Sequence, residues 1–234
     1  MSKGVISMCG RFSLAADEFS VRVYLSSKYG IKSDTLKLDL PRYNIAPGQM
    51  VASLIDDGKN YRQGYLKWGF VPVYENQSEK PKRIINLRSE TVWDKPYLEQ
   101  AIFKHRCVVI ADGFYEWQHN SSNKNPYRIQ VANQQLFSMA ALWSSYINPK
   151  GAMEHNVAIL TTQANEVVQK IHDRMPVILE EREAKKWLNP LNQSQAELSA
   201  LLRPYPDIYT TMYKVGDHVN NYQNDNPECI LEIN

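Results

Sequence analysis

Cysteine is scarce in this chain, and the few cysteines show no pairing pattern. Cys9, Cys107 and Cys229 are an odd number, and no two of them form a CxxC pair. Disulfide-stabilised folds need paired cysteines, and structural zinc sites need closely spaced Cys or His ligands. We therefore expect neither a disulfide framework nor a metal site. A reducing compartment, the cytoplasm, fits this cysteine usage best.

Long apolar runs and a strong charge excess are also missing. No stretch approaches the roughly 20 apolar residues of a membrane span. Residues 1–7 contain no long apolar run and no cleavage-type signal, so we expect no membrane association. The net charge of only +2 does not indicate a protein that binds nucleic acid through overall charge, so any basic surface must be local.

The remaining composition is that of one soluble globular domain. The chain has 234 residues, of which 43% are hydrophobic and 22% charged. This length is enough for a substantial core. No internal repeat, low-complexity tract or linker divides it. The 14 tyrosines and 5 tryptophans suit either a core or a base-stacking surface.

Hydrophobic periodicity and turn residues predict more strands than helices. Helices are predicted over 15–29, 94–104, 165–172, 181–188 and 194–202. Strands are predicted over 50–55, 61–69, 107–117, 127–131, 136–146, 156–162, 208–215 and 229–233. In the first helix, Phe19, Val21, Val23, Tyr24 and Leu25 are expected to form the apolar face. The two element types do not alternate regularly, which favours an α+β fold with an antiparallel meander over a parallel doubly wound sheet.

Cys9 is the cysteine whose position suggests chemistry. It follows Met8, so initiation at Met8 or cleavage after it would make Cys9 the amino terminus. A terminal cysteine carries an α-amine of pKa about 7.7–8.0 beside a thiol of pKa about 8.5. The amine can form an imine with an aldehyde, and the thiol can then close a thiazolidine ring. The alternative is a small buried cysteine in an early strand.

Glu116 and His172 are the candidate acid–base residues. Glu116 lies in an aromatic run, where desolvation would raise its pKa, although an outward-facing strand carboxylate fits the pattern equally well. His172 closes the predicted helix 165–172, whose C-terminus would favour the imidazolium, and the alternative is a capping histidine.

A further group of polar and aromatic residues could bind a substrate. An asparagine could orient a substrate oxygen, arginines could clamp phosphates, and a tryptophan could stack on a base. Turn, surface and core positions are the alternatives for these three residue types. The candidates are Asn86, Arg11, Arg42, Arg88, Arg174 and Trp68.

Six motifs in order resemble the SRAP family, the SOS response-associated peptidase or abasic-site processing proteins. They are Met8-Cys9-Gly10-Arg11-Phe12, Pro41-Arg42-Tyr43-Asn44-Ile45-Ala46-Pro47, Lys67-Trp68-Gly69-Phe70-Val71-Pro72, Ile85-Asn86-Leu87-Arg88-Ser89-Glu90-Thr91, the stretch 111–117, and Ile159-Leu160-Thr161-Thr162 through His172-Asp173-Arg174-Met175-Pro176. The resemblance implies a curled, barrel-like, mainly antiparallel sheet flanked by helices. It also implies a sensor of abasic sites in single-stranded DNA, without metal or organic cofactor, and we expect a monomer.

The resemblance also assigns roles within the site. Cys9 would be the covalent nucleophile that captures the ring-opened sugar aldehyde as a thiazolidine. Asn86 would orient the sugar or the cysteine amine, Glu116 would move protons during crosslink formation and reversal, and His172 would serve sugar ring opening. Arg11, Arg42, Arg88 and Arg174 would bind phosphates, and Trp68 would stack beside the lesion.

One departure from the family pattern concerns the amino terminus. In the family the cysteine follows the initiator methionine, whereas here residues 1–8 come first, so we expect a family domain over 9–234 behind an extension. Either Met8 is the start or self-cleavage exposes Cys9. Two other functions remain open: a cysteine peptidase using Cys9 and His172, and a non-covalent module that binds single-stranded DNA.

Overall fold

A computed structural model describes residues 9–31, 37–119, 124–132 and 134–233. The proposed extension over 1–8, including Met8, lies outside the described residues. Five α-helices are described: α1 (Glu18–Tyr29), α2 (Pro96–Lys104), α3 (Glu166–Gln169), α4 (Glu181–Leu188) and α5 (Gln195–Leu201). Short 3-10 helices cover Val73–Glu75, Val92–Asp94, Asp207–Tyr209, Asp217–Asn220 and Pro227–Ile230.

Thirteen strands are described. They are β1 (Phe12–Leu14), β2 (Arg42–Ile45), β3 (Met50–Asp56), β4 (Tyr61–Trp68), β5 (Asn86–Arg88), β6 (Arg106–Ala111), β7 (Gly113–His119), β8 (Lys124–Val131), β9 (Phe137–Ile147), β10 (Met153–Gln163), β11 (Arg174–Pro176), β12 (Ile178–Leu179) and β13 (Thr210–Lys214).

The larger sheet closes on itself. Strands β10, β4, β3, β6 and β9 pair in that order, and β9 pairs back to β10 to complete a five-stranded barrel. β5 and β11 extend the barrel along β10, and β12 extends it along β9. Most pairs are antiparallel, but β10 runs parallel to both β4 and β5. The predicted α+β fold with a curled, mainly antiparallel, barrel-like sheet is confirmed.

A second sheet, antiparallel throughout, has the order β13-β8-β7-β1-β2. After contributing β1 and β2 to this sheet, the chain returns to it from the barrel at Asp112, between β6 and β7. The Asp112 carboxylate accepts hydrogen bonds from the hydroxyl of Ser13 (2.6 Å), the backbone N–H of Ala15 (2.7 Å) and the guanidinium of Arg128 (2.8 Å). Asp112 and Arg128 are both buried, so each satisfies a charge that would otherwise be costly inside the protein.

The single strand predicted over 107–117 is therefore wrong. The residues do form extended backbone throughout, but the strand breaks at Asp112, and its two parts belong to different sheets. A pattern of apolar residues cannot show this break, because both parts are buried. The predicted meander over 107–162 is also only partly right: β7 pairs with β8 and β9 with β10, whereas β6 pairs with β3 and β9.

Helix α1 buries a narrower face than predicted. Val21, Leu25 and Tyr29, spaced four residues apart, are buried, whereas Phe19 and Val23 are 76% and 49% exposed. The prediction of an apolar face through Phe19 and Val23 is wrong because those positions lie on the opposite side of a 3.6-residue turn. The helix ends as predicted, at Gly30, which adopts the left-handed conformation with φ of 67°.

Three other boundaries differ from the sequence prediction. Asp94 does not cap α2, which begins at Pro96 after Lys95, because Asp94 itself lies in a 3-10 helix. The helix predicted over 165–172 is only the four-residue α3, capped by Asn165. The strand predicted over 229–233 is instead a 3-10 helix followed by one isolated bridge between Val215 and Glu232.

The core fills the barrel and the space between the two sheets. Its largest fully buried side chains include Trp68 and Trp187, whereas Tyr115 packs in a separate buried cluster with Val215, Val219 and Cys229. Cys107 and Cys229 are both buried free cysteines. Within the described ranges, no helix combines the length and apolarity that crossing a bilayer requires.

The Asp112–Arg128 junction generates a stability prediction at Gly113. A Cβ atom at this position would lie 2.7 Å from Nε and 2.9 Å from Cζ of Arg128. Gly113→Ala must displace a buried guanidinium, so we expect it to lower the free energy of unfolding by about 1–3 kcal/mol. Chemical denaturation measures this difference.

Gly64→Ala is the matched control, because Gly64 also lies in a strand and a Cβ there would meet nothing within 4 Å. Equal stability of the Gly113→Ala and Gly64→Ala proteins would contradict the close packing at the junction.

Candidate active site around Cys9

Cys9 lies where the chain approaches β1, alongside the neighbouring strand β7. Phe12 pairs with Phe114, and the backbone N–H of Tyr115 donates to the carbonyl of Arg11 (2.9 Å). This antiparallel register brings Cys9 beside Glu116. The Cys9 nitrogen donates to Glu116 Oε1 at 2.7 Å, although the two residues are 107 positions apart. Cys9 has a positive φ of 45° and is 3% exposed.

Asn86 reaches Cys9 from the barrel. It is the first residue of β5, which β10 holds through the pairing of Asn86 with Ile159. The Asn86 amide Nδ2 donates to the carbonyl of Cys9 at 3.3 Å. Because side chains alternate along a strand, Arg88 shares a face with Asn86, while Leu87 between them is buried. Arg88 is exposed on the side of the strand that faces the site.

Glu116 is a buried carboxyl whose pKa is shifted far upward. Its residue is 3% exposed, and desolvation raises the pKa from 4.5 to about 8. The hydrogen bonds from Cys9 oppose this shift, and the negative charge of Asp173 adds to it. With the Cys9 nitrogen in an amide, Glu116 is mostly protonated at neutral pH and can donate a proton.

His172 faces the other oxygen of Glu116. Its Nε2 atom lies 3.8 Å from Glu116 Oε2, which is too long for a direct hydrogen bond. Its Nδ1 atom accepts a hydrogen bond from the backbone N–H of Arg174 at 3.1 Å, so the neutral ring carries its proton on Nε2. The expected helix C-terminus is absent here, because α3 ends at Gln169, three residues before His172.

Arg174 is held inside the protein rather than presented to solvent. Its Nη1 and Nη2 atoms donate to the two carboxylate oxygens of Glu90 at 2.7 and 2.9 Å, and Nη2 also donates to the carbonyl of Thr161 at 2.7 Å. The Arg174 side chain is 7% exposed, and that of Glu90 is 40% exposed. A phosphate could reach Arg174 only by competing with Glu90.

Arg11 and Arg42 also have protein partners. Arg11 Nη1 donates to Asn44 Oδ1 (2.8 Å) and to the carbonyl of Val219 (2.7 Å). Arg42 forms an ion pair with Asp225. Both side chains therefore hold the C-terminal segment against the second sheet, whatever further contact they make.

Trp68 does not lie on the surface. Its residue is 1% exposed, its indole Nε1 donates to the carbonyl of Ile85 at 2.9 Å, and its ring packs edge-to-face on Phe12 at 5.2 Å. The indole is part of the core and has no exposed face in this structure, and its stacking beside the lesion stays a prediction. Phe12 follows Cys9 closely, and Trp68 therefore supports the segment that carries Cys9.

The described residues around Cys9 include no metal-ligand cluster. Among the residues that the structure describes, no group of three or more His, Cys, Asp or Glu side chains could hold a metal ion. The predicted residues Cys9, Asn86, Glu116 and His172 are instead joined by direct contacts and one short gap. Burial, together with the negative charge of Glu116, raises the pKa of the Cys9 thiol well above its ordinary value.

Sequence reasoning assigned no role to Glu90 or Asp173. Glu90 is bound to Arg174, 84 positions away, so no local pattern reveals the contact. Asp173 Oδ1 lies 3.4 Å from Nδ1 of His172, and its side chain is 78% exposed. Its position next to His172 in the sequence was the one available signal for this contact.

Comparison with known proteins adds the evolutionary context of this site. The pattern of the family described as SOS response associated peptidase (SRAP) matches residues 8–222. Abasic site processing protein YoqW of Bacillus subtilis is 36% identical over 231 residues, which cover 95% of this chain and 99% of that protein. Abasic site processing protein HMCES of Xenopus tropicalis is 33% identical over 191 residues, covering 72% of this chain and 56% of that protein.

A solved structure shares the whole fold. The crystal structure of a protein from Bacteroides thetaiotaomicron superposes with a TM-score of 0.82 at 27% identity, covering 96% of this chain and 100% of that one. The family pattern, the sequence relatives and the shared fold agree over nearly the whole described chain. The protein belongs to the SRAP family.

Proposed function

We propose that this protein captures abasic sites in single-stranded DNA by forming a thiazolidine through Cys9. The observation that carries the proposal is the 2.7 Å contact between the Cys9 nitrogen and the buried Glu116 carboxyl. Imine formation at the Cys9 nitrogen needs an acid–base group in contact with that nitrogen, and not only near the thiol. The names of the relatives, abasic site processing proteins, support the same substrate.

The chemistry begins at the Cys9 α-amine. In its neutral form the amine attacks C1′ of the ring-opened sugar aldehyde, forming a carbinolamine. Glu116 in its acid form protonates the leaving hydroxyl, one water departs, and an imine remains. Because Glu116 lies against the reacting nitrogen, the same carboxyl can take up and return protons without a movement of the backbone.

Ring closure requires one new C–S bond and one proton transfer. The Cys9 sulfur adds to the imine carbon, a C–S bond forms, and the thiol proton ends on the ring nitrogen through Glu116. Reversal follows the same steps backward with uptake of one water. The raised pKa of the thiol keeps it protonated until the imine is in place, so the amine reacts first.

The remaining residues orient the reactants. Asn86 fixes the Cys9 carbonyl and hence the direction of the amine. His172, whose Nε2 atom faces Glu116 at 3.8 Å, is the proposed donor to the sugar ring oxygen as the furanose opens. Arg88, exposed beside Asn86, is one of the proposed phosphate contacts.

This mechanism requires Cys9 to be the first residue of the mature protein. While residues 1–8 are attached, the Cys9 nitrogen is an amide and cannot form an imine. Initiation at Met8 followed by methionine removal, or cleavage before Cys9, supplies the free amine. A free ammonium at 2.7 Å would lower the pKa of Glu116 relative to the extended chain, because opposite charges favour each other's ionised forms.

The peptidase alternative fits the electrostatic environment of the Cys9 thiol less well. A cysteine peptidase needs a thiolate stabilised by a neighbouring cation, and its reactive cysteine has a lowered pKa. Here burial and the Glu116 carboxyl raise the pKa of the Cys9 thiol. The peptidase reading also predicts that a blocked amine is harmless, which the next experiment tests.

Intact-mass measurement before and after incubation with abasic single-stranded DNA tests the capture. The form beginning at Cys9 should gain the mass of the oligonucleotide less one water. Cys9→Ser, and the same chain with an acetylated amine, should form no stable adduct, because each lacks one of the two reacting atoms. DNA without the abasic site is the substrate control.

An unmodified Cys9-start protein would overturn the covalent mechanism and leave non-covalent binding of single-stranded DNA. A stable adduct on the acetylated chain would instead show that the free amine is not needed, and would overturn thiazolidine formation as the mechanism of capture.

His172→Ala should separate binding from chemistry. We expect binding of abasic DNA to persist, because His172 is largely buried and contacts Glu116 and Arg174 rather than the surface. The single-turnover rate of adduct formation should fall by about 10²-fold, the usual contribution of one acid–base group. Fluorescence anisotropy and a gel-based time course measure the two quantities. Loss of binding together with the rate would mark His172 as structural.

Glu116→Gln should also slow adduct formation by about 10²-fold, since the amide cannot exchange protons. The same substitution tests the protonation of the carboxyl in the 234-residue chain, where the Cys9 nitrogen is an amide. The pKa of Glu116 is higher in the folded state (about 8) than its ordinary value of 4.5. The folded state therefore holds more protons between these values, and stability falls as pH rises through this window.

Urea denaturation at several pH values measures the effect. We expect the free energy of unfolding of Glu116→Gln, minus that of the unsubstituted chain, to increase from about pH 5 to pH 8. Over this range, ionisation of the Glu116 carboxyl lowers the stability of the unsubstituted chain, whereas glutamine does not ionise. A difference that does not change with pH would show that the pKa of Glu116 is not raised.

A further inference from the structure

We propose that Glu90 is a positioning residue that acts through Arg174 to keep the His172 proton on Nε2. Glu90 has no direct contact with Cys9, Glu116 or His172 among its hydrogen bonds. The inference rests on the proposed function for its catalytic consequence, but the state of the His172 ring can be measured without any DNA.

The first link is the ion pair between Glu90 and Arg174. Two parallel hydrogen bonds of 2.7 and 2.9 Å match the fork of the guanidinium to the two carboxylate oxygens. The guanidinium also donates to the Thr161 carbonyl on β10, so it is fixed between Glu90 and the barrel. Hydrogen bonds from Arg174 lower the pKa of Glu90 and keep the carboxylate ionised at neutral pH.

The second link is the backbone of Arg174. Arg174 is the first residue of β11 and pairs with Gln163 of β10. With its side chain held by Glu90 and Thr161, its backbone N–H points at Nδ1 of His172 and donates to it at 3.1 Å. An imidazole nitrogen that accepts a hydrogen bond carries no proton, so the proton of the neutral ring is on Nε2.

A competing arrangement lies close by. Asp173 Oδ1 and the carbonyl oxygen of Arg174 itself each lie 3.4 Å from the same Nδ1 atom, and both would favour a proton there. Glu116, from β7, faces Nε2 at 3.8 Å, and Cys9 lies on the far side of Glu116. If Arg174 shifts, the ring can place its proton on Nδ1 toward Asp173, and Nε2 then has no proton to donate to the sugar. Glu90 therefore selects between two states of His172.

The Arg174–Glu90 ion pair also changes the role that we infer for Arg174. Its guanidinium already has a bidentate carboxylate partner and is nearly buried, so its first role is to organise the site rather than to bind phosphate. This role explains why the Arg174 cation and the Glu90 anion, which both could lie near DNA, form an ion pair with each other.

Glu90→Gln tests the inference, because glutamine keeps the size of the side chain but loses the charge and one acceptor. Nitrogen-15 NMR of the imidazole in the 234-residue protein distinguishes the Nε2–H from the Nδ1–H form. We expect the Nε2–H form in the unsubstituted protein and a shift toward Nδ1–H, or a mixture, in Glu90→Gln. Glu90→Asp, which keeps the charge on a shorter side chain, should give an intermediate result and serves if Glu90→Gln does not fold.

Glu154→Gln is the matched control. Glu154 also pairs with an arginine, Arg83, and with Lys67, and its side chain is 27% exposed, but it has no contact with the residues around Cys9. It should leave the His172 signals unchanged. In the Cys9-start form, Glu90→Gln should lower the rate of adduct formation at saturating abasic DNA by about tenfold, and Glu154→Gln should not.

The outcomes separate the two proposals. An unchanged His172 tautomer in both Glu90 variants would overturn the positioning role, whatever the enzyme does. An altered tautomer in a protein whose unsubstituted Cys9-start form makes no adduct would leave the positioning role standing and overturn the proposed function. An altered tautomer with an unchanged adduct rate would show that the Nε2 proton is not used, and would overturn the catalytic part of the inference.

Discussion

The buried contact of Asp112 with Ser13 and Arg128 is the constraint on which the rest of the site depends. It turns the chain out of the barrel and into the second sheet, and it ties the start of β7 to β1. Once β1 and β7 are in register, the residues that precede β1 lie against Glu116. A contact between Cys9 and a carboxyl 107 residues away thus follows from one buried junction more than from any local preference near Cys9.

The electrostatics of the site follow from the same burial. Glu116 is enclosed between the two sheets, so its pKa rises until the carboxyl is an acid near neutral pH. That state changes with the chemical form of the Cys9 nitrogen, because an amide leaves the carboxyl neutral and an ammonium would favour its ionisation. Processing of the amino terminus therefore sets both the nucleophile and the protonation of the group that serves it.

Secondary structure was predictable where one local signal decides it. The end of α1 at Gly30 and the strands of the barrel follow from a glycine stop and from periodicity. The secondary-structure predictions were wrong where two sequence signals had to be weighed against each other. The apolar residues Phe19 and Val23 do not face the core. The extended run through Asp112 gave no sign that the chain changes sheets, because strands buried on both faces lack the alternation of apolar and polar residues.

The sequence by itself determined the α+β class, the family, and the identity of Cys9, Asn86, Glu116 and His172 as the residues to examine, because these depend on residue type and motif order. Only the tertiary structure decided what each of them touches. It placed Trp68 in the core, gave Arg174 to Glu90, and set Glu116 on the Cys9 nitrogen. The last two outcomes depend on contacts between residues 84 and 107 positions apart, and on the energy of burying charge, which no local pattern encodes.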